Sequence, residues 1–203
     1  MSSASHNCPS CGGSLEIEHR FSKVVICGYC GQTCSISSSG IDPSGKKVAL
    51  IELDSIFSIG SKGNIQGSAF KVLGCLRYEY EDGFWDEWFI RVDSKKSIWL
   101  QEDEGEFTAF EKETLTSPVP PFSEVKVGSV ISVNGMDVFV TEKCRAKISG
   151  GLGELFFQIE PGSDVDCIDG NANGKIVSLE YTKNEINLSI GEEISIDSIK
   201  IDR

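Results

Sequence analysis

Two Cys-x-x-Cys pairs near the amino terminus constrain this chain more than any other feature. They are Cys8-Pro9-Ser10-Cys11 and Cys27-Gly28-Tyr29-Cys30, with fifteen residues between Cys11 and Cys27. Four thiols in two close pairs suit a tetrahedral metal centre, and zinc is the expected ion. Glycines follow each pair, at Gly12, Gly13 and Gly31, and let the backbone turn tightly enough for both sulfurs to reach one ion. A closed four-sulfur site has no open position for water, so its expected role is to hold a fold together. His6 and His19 lie nearby in sequence, but the thiols already complete the ligand set, and both read as surface residues.

The other cysteines are Cys34, Cys75, Cys144 and Cys167. The paired spacing and a reducing compartment favour metal over disulfides. Cys34 reads as a small buried residue or an alternative ligand. Cys75, Cys144 and Cys167 are scattered among apolar residues and read as core.

Charge is unevenly spread. The net charge is −12, but residues 1–47 carry four Lys/Arg against three Asp/Glu, so the deficit lies in residues 48–203. An acidic body is repelled by phosphate backbones and anionic headgroups, which disfavours nucleic acid as a partner. Solubility alone suffices to explain such a surface. No apolar run approaches the roughly eighteen residues of a transmembrane helix. The polar start, Met1 to Asn7, lacks the apolar region of a signal peptide. A cytoplasmic location is the default expectation.

The chain divides at two breaks. A Ser/Gly/Pro stretch, Ser37 to Gly45, reads as a flexible linker, and Pro118, Pro120 and Pro121 interrupt residues 114–122. The expected organisation is a zinc ribbon at 1–36, a linker with a leading strand at 37–54, a first β lobe at 55–113, a Pro-rich linker at 114–122, and a second β lobe at 123–203. The lobes resemble each other. Ile59-Gly60-Ser61 matches Val127-Gly128-Ser129 at an offset of 68, and Ile65, Gly67 and Val72 match Val133, Gly135 and Val140 at the same offset. An internal duplication of about seventy residues is expected.

Both lobes read as strands. Ala69–Gly74 and Asp137–Thr141 are rich in β-branched and aromatic residues, and Asp86–Val92, Ser97–Leu100 and Glu106–Phe110 follow the same pattern. Nothing shows a long helical period. The expected class is all-β: the ribbon, then two similar small barrel or sandwich lobes. The alternating stretches Glu185–Ile190 and Ile194–Ile196 are expected to return as edge strands.

The run Phe57 to Gly60, Phe70 to Gly74, Trp85-Asp86-Glu87-Trp88, Ile98-Trp99-Leu100 and Gly105-Glu106-Phe107 resembles the bacterial domain-of-unknown-function family 4178. The resemblance covers residues 55–113 most closely and 123–185 less so, because the second lobe lacks the tryptophans. It implies an N-terminal zinc ribbon, as several members carry, and no assigned enzymatic activity. It also implies a setting near the envelope or in a stress response, since members are encoded beside small membrane proteins and polyamine-synthesis enzymes.

Two further motifs carry possible chemistry. Asp169, Asn171, Asn173, Lys175 and Glu180, with Gly174, follow the spacing of a twelve-residue calcium loop. The strand-like flanks and the two asparagines favour a hairpin turn over calcium. Trp85, Asp86, Glu87 and Trp88 form an aromatic-acidic strip that would receive a basic partner segment if exposed, and would be core if not. Catalysis is hard to build, because no histidine follows the ribbon and no phosphate loop precedes a helix. The expected protein is therefore a non-enzymatic zinc-containing adaptor that binds another protein through its β module. The alternatives are nucleic-acid binding through the ribbon, and a polyamine- or cation-binding accessory subunit of an enzyme.

Overall fold

The computed structural model describes residues 4–202 except 20, 45–46, 49–53, 94–95, 158 and 161. Two hairpins open the chain: β1 (Ala4–Asn7) with β2 (Ser14–Ile17), and β3 (Val24–Ile26) with β4 (Thr33–Ser37), which continues into β5 (Gly40–Pro43). A first meander follows: β6 (Lys62–Ile65), β7 (Ser68–Tyr80), β8 (Gly83–Val92), β9 (Lys96–Asp103) and β10 (Glu106–Glu113). The second is β11 (Val130–Val133), β12 (Met136–Leu155), β13 (Asp164–Ala172), β14 (Lys175–Tyr181) and β15 (Ile186–Ile194), with β16 (Ile199–Ile201) at the end. Among the described residues helix is confined to two short 3-10 turns, Phe122–Glu124 and Ile196–Ser198. The protein is all-β, and the strands expected at 69–74, 86–92, 97–100, 106–110 and 137–141 each lie within one of these elements. No helix among the described residues is long and apolar enough to cross a membrane.

The two segments expected as separate lobes close into one barrel. Each contributes four antiparallel strands, in the order β7-β8-β9-β10-β15-β14-β13-β12, and β12 returns to pair with β7. Eight strands leave an interior just wide enough for side chains or one small ligand. Alternation then sorts the strands' residues into inner and outer sets. Trp85, Phe89, Trp99, Phe110, Ile148 and Val165 join the shared inner core. Phe70, Trp88, Ile90, Leu100 and Phe107 pack outside the first half under Phe57. Val133, Val138, Val140, Ile168 and Leu179 pack outside the second half. Each half thus keeps a private core and lends its other face to a common one.

The halves also share local geometry. Gly60 N–H donates to the Val72 carbonyl and Val72 N–H to that of Ser61, while Gly128 and Val140 make the same bonds with Val140 and Ser129. Strand irregularities fall between Val72 and Gly74 and between Val140 and Glu142.

Closure depends on two glycines. A Cβ on Gly74 would lie 2.0 Å from the Glu154 carbonyl oxygen, and one on Gly153 would lie 2.3 Å from that of Leu73. The β7 and β12 backbones meet where no side chain fits. Next to this crossing β12 pairs with β3, with Gly153, Glu154 and Leu155 opposite Ile26, Val25 and Val24.

Two sequence expectations change. The stretch from Ser37 does not run on as a free linker: Gly40–Pro43 folds back as β5, with Ile41 opposite Ile36. The leading strand expected before residue 55 lies largely outside the described residues. The stretch Ile186–Ile194 is not an edge but the barrel strand β15, between β10 and β14, because its inner and outer faces both find partners, and the strand expected at Ile194–Ile196 gives way after Ile194 to the 3-10 turn that starts at Ile196. The edge role falls to β16, which pairs with β6.

The ribbon is welded to the barrel by one carboxylate. Glu154, 3% exposed, accepts hydrogen bonds from the backbone N–H of Glu18 (2.8 Å) and His19 (3.0 Å) and from Ser22 Oγ (2.7 Å). Glu18 in turn pairs with Lys71 and with Arg91 of the first half. Replacing Glu154 with Gln removes one acceptor oxygen and leaves buried donors unmatched. The expected loss is about 2 kcal/mol of unfolding free energy, read as a lower urea midpoint at unchanged slope. A loss below about 0.5 kcal/mol, the lower end for an ordinary hydrogen bond, would show that the weld carries little.

Candidate functional site

The four knuckle cysteines converge. Their sulfurs all lie within 4.8 Å of one another, with Cys8 Sγ to Cys30 Sγ at 3.8 Å and Cys11 Sγ to Cys27 Sγ at 3.7 Å. A metal–sulfur bond of about 2.3 Å in a tetrahedron sets sulfurs about 3.8 Å apart, so the spacing fits one ion. Both knuckles use the same backbone device. Gly12 N–H donates to the Cys8 carbonyl and Cys8 N–H to that of Gly13, and Gly31 and Cys27 repeat this with Cys27 and Gln32. Gly12 and Gly31 take φ of 77° and 69°, which favours glycine.

The protonation pattern points the same way. Burial resists ionisation of Cys8, yet the backbone N–H groups of Cys11 and Ser10 bring its thiol down to about 7. The Gly13 N–H favours a Cys11 thiolate, but neighbouring sulfurs, Cys30 foremost, push that thiol up to about 12. Thiols this crowded give up all their protons only to a cation among them. Cys34 is buried beside the cluster but lies outside the quartet. His6 is exposed, and His19 is not a plain surface residue, since its ring sits edge-on to Phe89 at 5.5 Å.

The Trp85 strip is corrected by burial. Trp85, Asp86, Glu87 and Trp88 are 7%, 4%, 9% and 0% exposed, so no partner reaches them from solvent. The physical reason is that both faces of β8 are core. Trp85 stacks on Tyr78 inside the barrel with ring centroids 5.0 Å apart, and Trp88 packs on Phe57 outside it. Asp86 is held by two bonds from Arg77, at 2.8 and 2.7 Å. Glu87 faces the lumen and accepts from Trp85 Nε1 at 3.3 Å.

The calcium-like stretch is a two-residue hairpin. Asn173 (φ 52°) and Gly174 (φ 77°) make the turn, and Asp169 and Glu180 fall opposite Ser178 and Cys167 on the two strands. Asn171, Asn173 and Lys175 are exposed, whereas Asp169 and Glu180 line the barrel interior, so the five do not surround one point.

The barrel interior holds what sequence reading missed. A cavity of about 40 Å³ near one end of the barrel is lined by Glu87, Asp103, Glu142, Asp169 and Glu180, with Cys144, Cys167 and the rings of Tyr80 and Trp85. Lys112 reaches in from β10 and pairs with Glu180 at 2.9 Å. Burial opposes the charge on Lys112, but Glu180 and Glu87 outweigh it and raise its pKa. Burial, followed by the Glu180 charge, pushes the Glu87 carboxyl up to about 8. Burial also lifts Asp169 to about 6, against a hydrogen bond from Ser178. At neutral pH the inner end therefore holds an ion pair, Lys112 with Glu180, beside a protonated Glu87. Only the alternation of inward residues signalled this, and the strand pairing that assembles them was not readable from one sequence.

An all-β barrel preceded by a four-cysteine cluster that could hold one metal ion is thus the class that fold and site define. Residues 58–196 match the family described as domain of unknown function (DUF4178), and the chain belongs to that family. Comparison with curated proteins and with solved structures found no match.

The raised carboxyl at Glu87 gives a signed expectation. Between about pH 4.5, where the unfolded group loses its proton, and about pH 8, where the folded one does, the native state holds an extra proton. This group's contribution to stability therefore falls as pH rises through that window. Glu87→Gln should gain on the wild type in urea midpoint from pH 5 to pH 8. A difference that stays constant with pH would refute the assignment.

Proposed function

We propose that this protein is a non-enzymatic, zinc-stapled adaptor that captures an extended segment of another protein along the outer edge of β11. The observation that carries this reading is an asymmetry between the halves. In the first half, β6 is covered by β16, whereas its counterpart β11 pairs only with β12 among the described residues. Beside that free edge, Val127, Val130 and Phe139 are 59%, 60% and 49% exposed, and Val130 stands directly opposite Phe139. An uncovered strand edge flanked by apolar side chains is suited to strand addition. The segment it fits is one like β16, in which Ile199 and Ile201 alternate with Lys200. The shared hydrogen bonds of the two halves support an internal duplication, which would make the two edges equivalent. A net charge of −12 keeps nucleic acid outside this reading.

The test copies the first half onto the second. Val130→Lys with Phe139→Lys installs the counterparts of Lys62 and Lys71, which are themselves cross-strand partners. Cross-linking in cells, followed by mapping, should join partner peptides to residues 127–139 of the wild type and lose them in the double variant. Capture of the same peptides by both would overturn the docking edge.

Zinc is the ion this reading assigns to the four thiolates. Elemental analysis of natively purified protein should give a single zinc per chain, and Cys8→Ser should lose it. Hydrogen exchange should then speed up first in β1 and β2, which among the described residues pair only with each other. Retention of stoichiometric zinc by Cys8→Ser would refute the ligand assignment.

A further inference from the structure

The barrel lumen brings together two thiols that lie far apart in sequence. Cys144 on β12 and Cys167 on β13 are direct cross-strand partners. Directly opposed residues of an antiparallel pair project to the same face, with Cα atoms about 4.5 to 5.5 Å apart. That range lies inside the roughly 4.4 to 6.8 Å that a disulfide spans. Both side chains line the small cavity, Cys167 4% exposed and Cys144 less deeply buried. Neither belongs to the four-cysteine cluster.

The two thiols are not equivalent. A hydrogen bond from the Cys167 thiol lowers the pKa of Cys144, against burial and the charges of Asp169 and Glu142. The same contact, with burial and Glu180, raises Cys167 well above the ordinary thiol value. One sulfur is set up as the nucleophile and the other remains a protonated neighbour, the division that a two-thiol redox site requires. Cys75 is a contrast: it is buried in the outer core of the first half and has no cysteine opposite it, since Trp88 and Leu152 are its strand partners.

We propose that Cys144 and Cys167 form a reversible dithiol–disulfide site oxidised by a small uncharged peroxide. In the first step the Cys144 thiolate attacks one oxygen of hydrogen peroxide. A sulfur–oxygen bond forms, the oxygen–oxygen bond breaks, and the departing hydroxide takes up a proton to leave as water. In the second step the Cys167 sulfur attacks the Cys144 sulfenic acid. The disulfide forms, the sulfur–oxygen bond breaks, and the Cys167 proton leaves with the hydroxide as a second water. The sulfur pair gives up two electrons and the peroxide accepts them. A thiol reductant reverses the change by exchange.

The cavity selects the oxidant. A space of about 40 Å³ holds a molecule of a few heavy atoms, roughly two or three waters' worth. Its lining includes Asp103, Glu142 and Asp169, which repel anions. Hydrogen peroxide meets both conditions, and glutathione disulfide, bulky and anionic, meets neither. This site is independent of the β11 edge.

The experiment uses the full-length, metal-loaded protein. It is treated with hydrogen peroxide or with glutathione disulfide, alkylated, and mapped by peptide mass spectrometry. The expected result with peroxide is a cross-linked pair containing Cys144 and Cys167, lighter by two hydrogens and restored by dithiothreitol. With glutathione disulfide both should stay alkylatable. In Cys167→Ser, a sulfenic-acid trap such as dimedone should mark Cys144. Because the wild-type mapping needs no variant, a misfolded substitution cannot hide the answer. Peroxide that links only Cys8, Cys11, Cys27 or Cys30, with Cys144 and Cys167 still alkylated, would overturn the site. Equal oxidation by glutathione disulfide would overturn the selection by size and charge.

Discussion

The contact on which the rest of the structure depends is the backbone crossing of β7 and β12 at Gly74 and Gly153. Without it the two meanders, still joined at β10 and β15, would form one open sheet with its inner face, Trp85, Phe89 and Trp99 included, uncovered. The crossing turns that face inward, so that Trp85, Phe89 and Trp99 meet Ile148 and Val165. It also fixes the ribbon. One residue beyond Gly153, Glu154 gathers the backbone of Glu18 and His19, while Lys23 N–H donates to the Leu155 carbonyl. The β3–β4 hairpin, whose turn carries Cys27 and Cys30, is therefore continuous with the barrel sheet, and a disturbance at the closure would reach it through three consecutive residues.

The lumen shows what the apolar clusters carry. Burying an ion costs several kcal/mol even after relaxation, and the Lys112–Glu180 pair sits beside a second acid, Glu87. Burial of each large apolar side chain returns about 1.5–3 kcal/mol, and three clusters supply many such side chains. The balance tolerates the lumen charges without needing them. A core serving stability alone would place leucine at Glu87 or Asp169. Keeping acids and a thiol pair there is better explained by a use for the interior than by its contribution to folding.

How much of this was legible in the sequence follows from the range of the interactions. The knuckles were, because ligand spacing and the glycine after each pair are local. The strands were, because alternation needs only neighbours in sequence. The likeness of Ile59-Gly60-Ser61 to Val127-Gly128-Ser129 was legible too, and the two segments make matching backbone hydrogen bonds. Closure was not, since alternation says that Trp85 and Glu87 share a face but not what that face meets. The same gap left Trp85 to Trp88 undecided between surface and core, and Asp169 and Glu180 as parts of a hairpin turn. Cys144 and Cys167 looked like scattered core for the same reason: register, not composition, makes them partners. Ser37 to Pro43 misled differently, because its small polar residues suit a turn between strands as well as a linker.

The halves share a scaffold but differ where the chain itself does the covering. Lys62 and Lys71 stand opposite each other on the first half, and the ribbon supplies Glu18 as a counter-ion for Lys71. At the corresponding positions of the second half stand Val130 and Phe139, with no ribbon against them. Likewise β6 is closed off by β16, and β11 has no such strand among the described residues. If solubility alone governed these positions, the charged pair would belong on the uncovered half and the apolar pair on the covered one. The arrangement is the reverse. Exposed valine and phenylalanine beside a strand edge carry an aggregation hazard, and the placement of the lysines on the other half is the asymmetry on which the proposed docking edge rests.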